Sequence, residues 1–528
     1  MSGARLLLAS LLALSGAPAP PAAAAPAPEA SVGESSQDTV RRAAITMADG
    51  TSLAATVHQP PGPGPHPLLV VPGAWWVMPL DMLLDRNRSL ARAGYTVVAY
   101  DPRGLRRSGG EIDMAGPVDV ADAATVVTWA LDHTTADPRR VGMLASSYGA
   151  ALALNAAAHD RRVSAVAALC PWTDLNAAYL PGDTRAASVS SYQELFGRLN
   201  GRLSPATRQA FDRMRTGAGA DPLRTWARER SPLTHAARLN AHGTAVFLSG
   251  EWSDPLVPAG QTGALLDALT GPRQLWMNPG GHGDSSSAES ELLDSPARTR
   301  HHALAWLDHH LRAVPNGADR LPPLLVRPRD GARVETYPGW AALERSRRPV
   351  AVRPPGASAA TLRLVAGADS PADSGAFPVS GLLDGAGLPP TTFRPLLGPP
   401  VAAVWHSSPL PRPWALRGSP HLDIRFTPSA GAGGFVVHLY DVDPLGTARL
   451  LTHQPRAFRA VPGTPVRASL ALPATAWTVP AGHRVALVID TADHRYATGN
   501  PVGALLDFDA ASARLSLPTA HDTTGRAR

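Results

Sequence analysis

Four short runs of almost unbroken apolar residues set the strongest limit on this chain: Pro67–Val71, Gly94–Tyr100, Val141–Ala145 and Val163–Leu169. Stretches with helical character, such as Val118–His133 and Gly149–Ala158, separate them. A strand that is apolar at every position has both faces buried, which predicts a parallel sheet covered by helices on two sides. The rhythm resumes at Thr244–Ser249 and Arg273–Asn278, followed by a helix around Pro296–Leu311. Residues 171–240 interrupt it; they are polar, helical in places and dotted with aromatic side chains. An insertion at that point of an α/β sheet covers the ligand crevice, so it reads as a cap. Beyond Leu321, proline-rich turns separate short strands at Val401–His406, His421–Thr427, Gly434–Tyr440, Val466–Leu472 and Arg484–Asp490, which predicts an antiparallel sandwich. The expected organisation is an α/β domain over 43–320, with the cap at about 171–240, and a C-terminal all-β domain over 321–518. A chain of 528 residues has room for both.

Composition removes several chemistries. All 49 basic residues are arginine. A chain without lysine cannot use a P-loop lysine, a pyridoxal-phosphate Schiff base or an S-x-x-K pair. The net charge of +6 is spread along the chain rather than gathered on one segment, so no nucleic-acid footprint is expected. A single cysteine, Cys170, excludes an intrachain disulfide and any cysteine-rich metal site, and it reads as a buried strand-end residue.

The amino terminus has the layout of an export signal. Arg5 supplies a positive start, Leu6–Leu14 an apolar run, and Ala22–Ala25 a small-residue cleavage site. The apolar run is about half of the ~20 residues needed to span a bilayer. The expectation is therefore a signal peptide over 1–25, a linker over 26–42, and a secreted protein without a stable membrane anchor.

The sharpest local signal is Ala145-Ser146-Ser147-Tyr148-Gly149, at the junction of a strand and a very apolar helix. This is the context of the G-x-S-x-G nucleophile elbow, with alanine in the first place. The elbow holds its central residue in a strained turn, so small residues are needed two positions either side. It lifts the Ser147 hydroxyl clear of the sheet and sets the Tyr148 amide at a helix amino end, where amide and helix dipole face an oxyanion together. The partners of such a serine follow in the order acid, then histidine, each beyond the carboxyl end of a later strand. Asp254 lies just past strand Thr244–Ser249, and His282 lies in the glycine loop after Arg273–Asn278. Glu251 is the second candidate acid. His301-His302 and His309-His310 lack carboxylates on the same helix face, so no metal is expected there and they read as a solvated surface. The loop Asp101-Pro102-Arg103-Gly104-x-x-x-Ser108-x-Gly110 reads as a structural turn with Arg103 paired to a carboxylate.

These residues carry a resemblance to the X-Pro dipeptidyl-peptidase/cocaine-esterase-like (CocE/NonD) hydrolases. The match rests on Asp49-Gly50-Thr51-x-Leu53, the Asp101-x-Arg103-Gly104-x-x-x-Ser108-x-Gly110 loop and Ser147-Tyr148-x-Ala150. It continues through Gly250-x-x-x-Asp254-Pro255, Gly281-His282-Gly283, Arg484–Leu487 and Asp493-x-Arg495-Tyr496. It spans about residues 43–515. The resemblance implies an α/β-hydrolase core with a helical cap, a jelly-roll-like C-terminal sandwich, and a serine nucleophile served by Asp254 and His282. Two departures stand out. Ala145 and Ala150 replace the family's usual glycines. The tyrosine that often follows a proline at the end of the early strand, where it helps to form the oxyanion hole, is absent from Pro72-Gly73-Ala74-Trp75-Trp76. A backbone amide near Ala74 or Trp75 is the expected substitute.

The sequence thus predicts a secreted serine hydrolase that needs no cofactor and acts on a small-molecule or peptide substrate. Ser147 attacks, His282 moves the proton, Asp254 orients the imidazole, and the Tyr148 and Trp75 amides receive the oxyanion. An X-Pro dipeptidyl-peptidase is the leading form, with an esterase or acylase of the same family as the alternative. Asp174, Asp183 and Glu194, in or near the cap, are the candidate anchors for a substrate ammonium. A non-catalytic binding protein on the same fold would have been free to lose its triad, and this chain retains one.

Overall fold

A computed structural model describes residues 40–75, 84–217, 220–282, 296–345, 347–354, 360–376 and 379–519. The expected signal peptide and nearly all of the expected linker lie outside the described residues. The linker's last three residues, 40–42, are already part of the first strand.

In Leu68-Leu69-Val70-Val71, Leu68 and Val70 join one apolar cluster while Leu69 and Val71 join another. That is why the run is apolar at every position: alternate side chains leave opposite faces of one sheet, and both faces are covered. The strands are β1 (Val40–Thr46), β2 (Ser52–His58), β3 (His66–Pro72), β4 (Thr96–Tyr100), β5 (Ala136–Ser146), β6 (Val163–Leu169), β7 (Ala245–Glu251), β8 (Arg273–Asn278), β9 (Leu324–Val326) and β10 (Glu335–Tyr337). Their order across the sheet is β1-β2-β4-β3-β5-β6-β7-β8-β9-β10. β4, β3 and β5 through β9 are parallel. The parallel core carries antiparallel rims: β1, β2 and β4 pair antiparallel, as do β9 and β10. The sheet also continues past residue 320, where the change of sequence texture had suggested its end.

Helices α1 (Leu84–Arg92), α2 (Pro117–His133) and α3 (Tyr148–His159) cover the first half of the sheet. The insertion between β6 and β7 forms α4 (Leu175–Tyr179), α5 (Ala187–Asn200), α6 (Pro205–Thr216), α7 (Ala220–Glu229) and α8 (Ala236–His242), so the cap is helical. α9 (Gly260–Ala268) and α10 (Pro296–Arg312) complete the layer. α2, α3 and α9 bury one face of the sheet; Leu90 of α1 and Trp306, Leu307 and Leu311 of α10 bury the other. A third apolar cluster joins Trp75 and Tyr148 to Trp172, Tyr179, Phe211 and Trp226, seating the cap over the carboxyl ends of β3 and β5. The strand order reverses there, β3 lying between β4 and β5, and such a switch point is where open α/β sheets hold their ligands.

After α11 (Trp340–Glu344) the described residues form an all-antiparallel β domain, interrupted by the short α-helix α12 (Val379–Gly385). Its strands are β11 (Arg347–Val350), β12 (Thr361–Val365), β13 (Thr391–Phe393), β14 (Ala402–His406), β15 (Trp414–Gly418), β16 (His421–Pro428), β17 (Ala432–Val442), β18 (Thr447–Arg459), β19 (Val466–Ala471), β20 (Thr475–Val479), β21 (Arg484–Asp490), β22 (Leu505–Asp509) and β23 (Arg514–Pro518). One sheet runs β11-β23-β16-β22-β12, with β19 also on β16; a second runs β13-β18-β17-β21-β14; β15 and β20 form a pair. Trp405, Phe426, Phe435 and Phe508 meet in the core, with neighbouring ring centroids 5.3 to 6.4 Å apart. Among the described residues no helix is long and apolar enough to cross a membrane.

Candidate active site

Ser147 stands between β5 and α3 with φ 54° and ψ −122°, a conformation that non-glycine residues rarely adopt. Its surroundings hold it there. Its amide donates to the Leu169 carbonyl at 2.8 Å, and its carbonyl accepts from the Ala150 and Ala151 amides at 3.0 and 3.1 Å. The next turn of α3 presses against β3: a Cβ on Gly149 would lie 2.3 Å from the Pro72 oxygen. α3 is buried from Tyr148 to Ala158, so the positive end of its dipole meets little solvent screening beside Ser147.

The Ser147 hydroxyl lies 2.7 Å from Nε2 of His282, and Nδ1 of that ring lies 2.7 Å from Oδ2 of Asp254. The remaining oxygen of Asp254 accepts from the Leu256 and Val257 amides at 2.7 and 2.9 Å. A carboxylate so held cannot rotate away. It keeps the proton on Nδ1 and leaves Nε2 to accept from the serine. The Asp254 side chain is only 2% exposed and that of His282 17%, so the pair is largely shielded from water while the imidazole edge stays reachable. The two loops are also tied together: Trp252 N–H donates to Asn278 O at 2.9 Å, and Ser253 N–H to Gly280 O at 3.1 Å. Glu251 is buried at the end of β7, and it is Asp254 that meets the imidazole.

Tyr148 separates two jobs. Its amide is at the first turn of α3, beside Ser147, whereas its phenol is fully buried. The hydroxyl donates to Oδ2 of Asp119 at 2.6 Å and accepts from the Ala115 amide at 3.2 Å. Burial, reinforced by the Asp113 carboxylate, pushes the Asp119 carboxyl up to about 7, against the pull of the tyrosine hydrogen bond. The Tyr148 ring lies 5.3 Å from that of Trp75 and 5.8 Å from that of Trp172. Trp75 follows β3 across the switch point. Its loop is held by Gly73 N–H on Tyr100 O at 2.9 Å and by Arg106 on the Ala74 carbonyl at 3.1 Å. Ser147, Tyr148, Trp75, Asp254 and His282 are thus gathered at one end of the sheet.

Other candidates are placed elsewhere. Arg103 grips both oxygens of Asp122 at 2.8 Å and Asp49 at 2.6 Å, so the 101–110 loop is structural and fastens the 49–51 turn. Cys170 is buried at the end of β6, its amide bonded to the Ser249 hydroxyl. The α10 histidines are less solvated than expected. His302 stacks on Trp276 with centroids 4.0 Å apart, His310 packs on Trp306 at 4.4 Å, and burial pushes His310 down to about 4. The three cap carboxylates are engaged with neighbours: Asp174 caps α4, Asp183 pairs with Arg224 at 2.7 Å, and Glu194 pairs with Arg198 at 2.7 Å. Sequence reasoning missed Asp119, which is hidden in the amphipathic stretch that becomes α2.

Residues 49–284 match the family model for X-Pro dipeptidyl-peptidase (S15 family), and residues 316–527 match that for the X-Pro dipeptidyl-peptidase C-terminal non-catalytic domain. An aminopeptidase from the marine sediment archaeon Thaumarchaeota archaeon superimposes with a TM-score of 0.71 at 16% identity, over 94% of this chain and 99% of that one. An alpha-amino acid ester hydrolase does so with a TM-score of 0.68 at 17% identity, over 94% and 98%. A CocE/NonD family hydrolase from Staphylococcus aureus gives 0.68 at 11% identity, over 91% and 93%. At such identities the likeness is one of fold. The chain spans about half the length of the curated relatives it matches, at 26 to 31% identity.

Proposed function

Because the chain belongs to the X-Pro dipeptidyl-peptidase/CocE family of serine hydrolases, we propose that it cleaves an ester, amide or peptide bond through an acyl-enzyme on Ser147. The observation that carries this reading is the continuous pair of 2.7 Å contacts from Ser147 through His282 to Asp254. His282 takes the serine proton as Oγ attacks the carbonyl carbon, and returns it to the leaving alcohol or amine as the tetrahedral adduct collapses. Asp254 stabilises the imidazolium formed between those steps. The amides of Tyr148 and of the Ala74–Trp75 turn receive the developing oxyanion, where the α3 dipole adds to their effect. Water then repeats the sequence on the acyl-enzyme.

The two-part family match puts X-Pro dipeptidyl-peptidase activity first. A second reading, ester or amide hydrolysis of an uncharged acyl group, is favoured by the engagement of Asp174, Asp183 and Glu194 with their own neighbours. Gly-Pro and Ala-Pro anilides run against short acyl nitrophenyl esters separate the two. Turnover of the anilides with a free amine but not a blocked one supports the peptidase. Turnover of esters alone removes it. Export completes the proposal: Arg5, Leu6–Leu14 and Ala22–Ala25 have the layout of a cleavable signal. The expected mature chain begins near Ala23–Ala25, and an exported protein whose intact mass retains Met1–Leu14 would overturn that.

A further inference from the structure

We infer that the C-terminal β domain positions the Asp254 and His282 loops through Gly381 and Asp384 of α12 and through Arg495, so that it is a working part of the hydrolytic site. This rests on the triad reading above. Gly381 and Asp384 are three residues apart and share a face of α12. Asp384 accepts a 2.5 Å hydrogen bond from the hydroxyl of Ser253, the residue before Asp254. A Cβ on Gly381 would lie 2.6 Å from the Cα of Gly281, the residue before His282, and 3.6 Å from the Ser253 carbonyl oxygen. One face of a short helix therefore touches both loops, and only glycine lets it come that close.

The support behind that face is stiff. Asp384 is 1% exposed and ion-paired with Arg329, whose guanidinium also donates to the Leu450 and Leu451 carbonyls of β18 at 3.1 and 2.7 Å. A buried carboxylate gripped by a bidentate arginine keeps its orientation, and hydrogen bonds in such an ion-paired cluster are stronger than neutral ones. The other side of Asp254 is held independently. Arg495 donates to the Pro255 carbonyl at 2.6 Å, while its other terminal nitrogen lies 3.2 Å from Nε2 of His453 on β18. Asp254 is thus fixed from both flanks, at Ser253 and at Pro255, by groups rooted in the second domain. Proton transfer depends on contacts of 2.7 Å, and a misplacement of about 1 Å can cost on the order of 10²-fold in rate.

The test uses the full chain carrying Gly381→Ala, Ser253→Ala, Arg495→Met or Arg495→Lys, with Ser147→Ala alongside. The rate of labelling by a fluorophosphonate, kcat and KM on a nitrophenyl ester, and the pH profile of kcat/KM are measured. Gly381→Ala and Arg495→Met are expected to slow labelling and lower kcat by about 10- to 100-fold, with KM within threefold. The acid limb should move to lower pH, because an imidazole less well held by its carboxylate is less basic. Arg495→Lys, which keeps a cationic donor for Pro255, should recover most of the rate. If Gly381→Ala does not fold, Ser253→Ala and the Arg495 pair decide the matter. Folded variants with wild-type rates and an unshifted profile overturn the brace while an inert Ser147→Ala leaves the triad reading standing. A Ser147→Ala protein that is still labelled overturns that reading instead.

Discussion

A methyl group on Gly149 would stand 2.3 Å from the carbonyl oxygen of Pro72 and 3.0 Å from that of Gly73. Both obstacles are backbone, so neither can swing aside, and α3 would have to back away from β3. Gly149→Ala is expected to lower stability by roughly 1–3 kcal/mol, as overpacking does, and to displace the turn carrying Ser147. Thermal unfolding and fluorophosphonate labelling would both register it. Ala150, one residue on, is fully buried, so Ala150→Gly should fold and cost about 1–2 kcal/mol, from lost helix propensity and one lost buried methyl.

Ser147→Ala should abolish fluorophosphonate labelling and reduce kcat by on the order of 10⁴ or more. Ser146→Ala should do far less, since Ser146 is the last residue of β5 and it is the Ser147 hydroxyl that lies against His282. Near wild-type turnover by a folded Ser147→Ala protein would sink the assignment.

Asp254→Asn keeps the shape of the side chain and removes its charge. The amide can stabilise no imidazolium and favours the wrong ring tautomer, so a loss of about 10⁴ in kcat is expected with thermal stability nearly retained. His282→Ala should leave no measurable turnover. An Asn variant within tenfold of wild type would mean that another carboxylate, with Glu251 first to test, serves the ring.

Asp119 links the site to pH through stability. Its folded carboxyl is pushed up to about 7 from 3.8, so the folded state holds a proton that the unfolded chain releases. The stabilisation is complete below the unfolded value and is lost as pH rises through the folded one. At about 1.4 kcal/mol per pH unit, the loss between pH 5 and 7.5 is at most roughly 3 kcal/mol. Asp119→Asn, whose amide oxygen can still accept from Tyr148 and Ala115, should gain on wild type across that interval. Melting curves at the two pH values suffice, and parallel shifts of both proteins would contradict the expectation.

Legibility in the sequence followed how local the cause of each feature was. Ser147 was readable because strand, elbow and helix are contiguous and each leaves its own pattern. Asp254 and His282 were readable from their place after strands whose both-faces-buried composition is unmistakable. β1 was missed because Val40-Arg41-Arg42 is a half-exposed rim strand with charged residues. β18 was missed because Thr452, His453, Gln454 and Pro455 break its apolar pattern. α12, Val379-Ser380-Gly381-Leu382-Leu383-Asp384-Gly385, has two glycines in seven residues and no helical signal; tertiary contacts make it a helix. The Arg329–Asp384 pair joins residues 55 apart, and nothing in either neighbourhood announces the other.

β9 and β10 belong to the hydrolase sheet by hydrogen bonding and to the C-terminal family model by sequence. Trp340 repeats the overlap, its indole filling the space a side chain at Gly263 of α9 would need. The boundary that serves for classification is therefore not one at which the molecule can be divided. A fragment ending near residue 320 would expose the β8 edge as a row of unpaired amides and carbonyls, a template for self-association. A chimera joining the first 320 residues to another member's remainder would inherit an edge strand and a tryptophan plug cut for a different socket. Such parts are inherited as a pair.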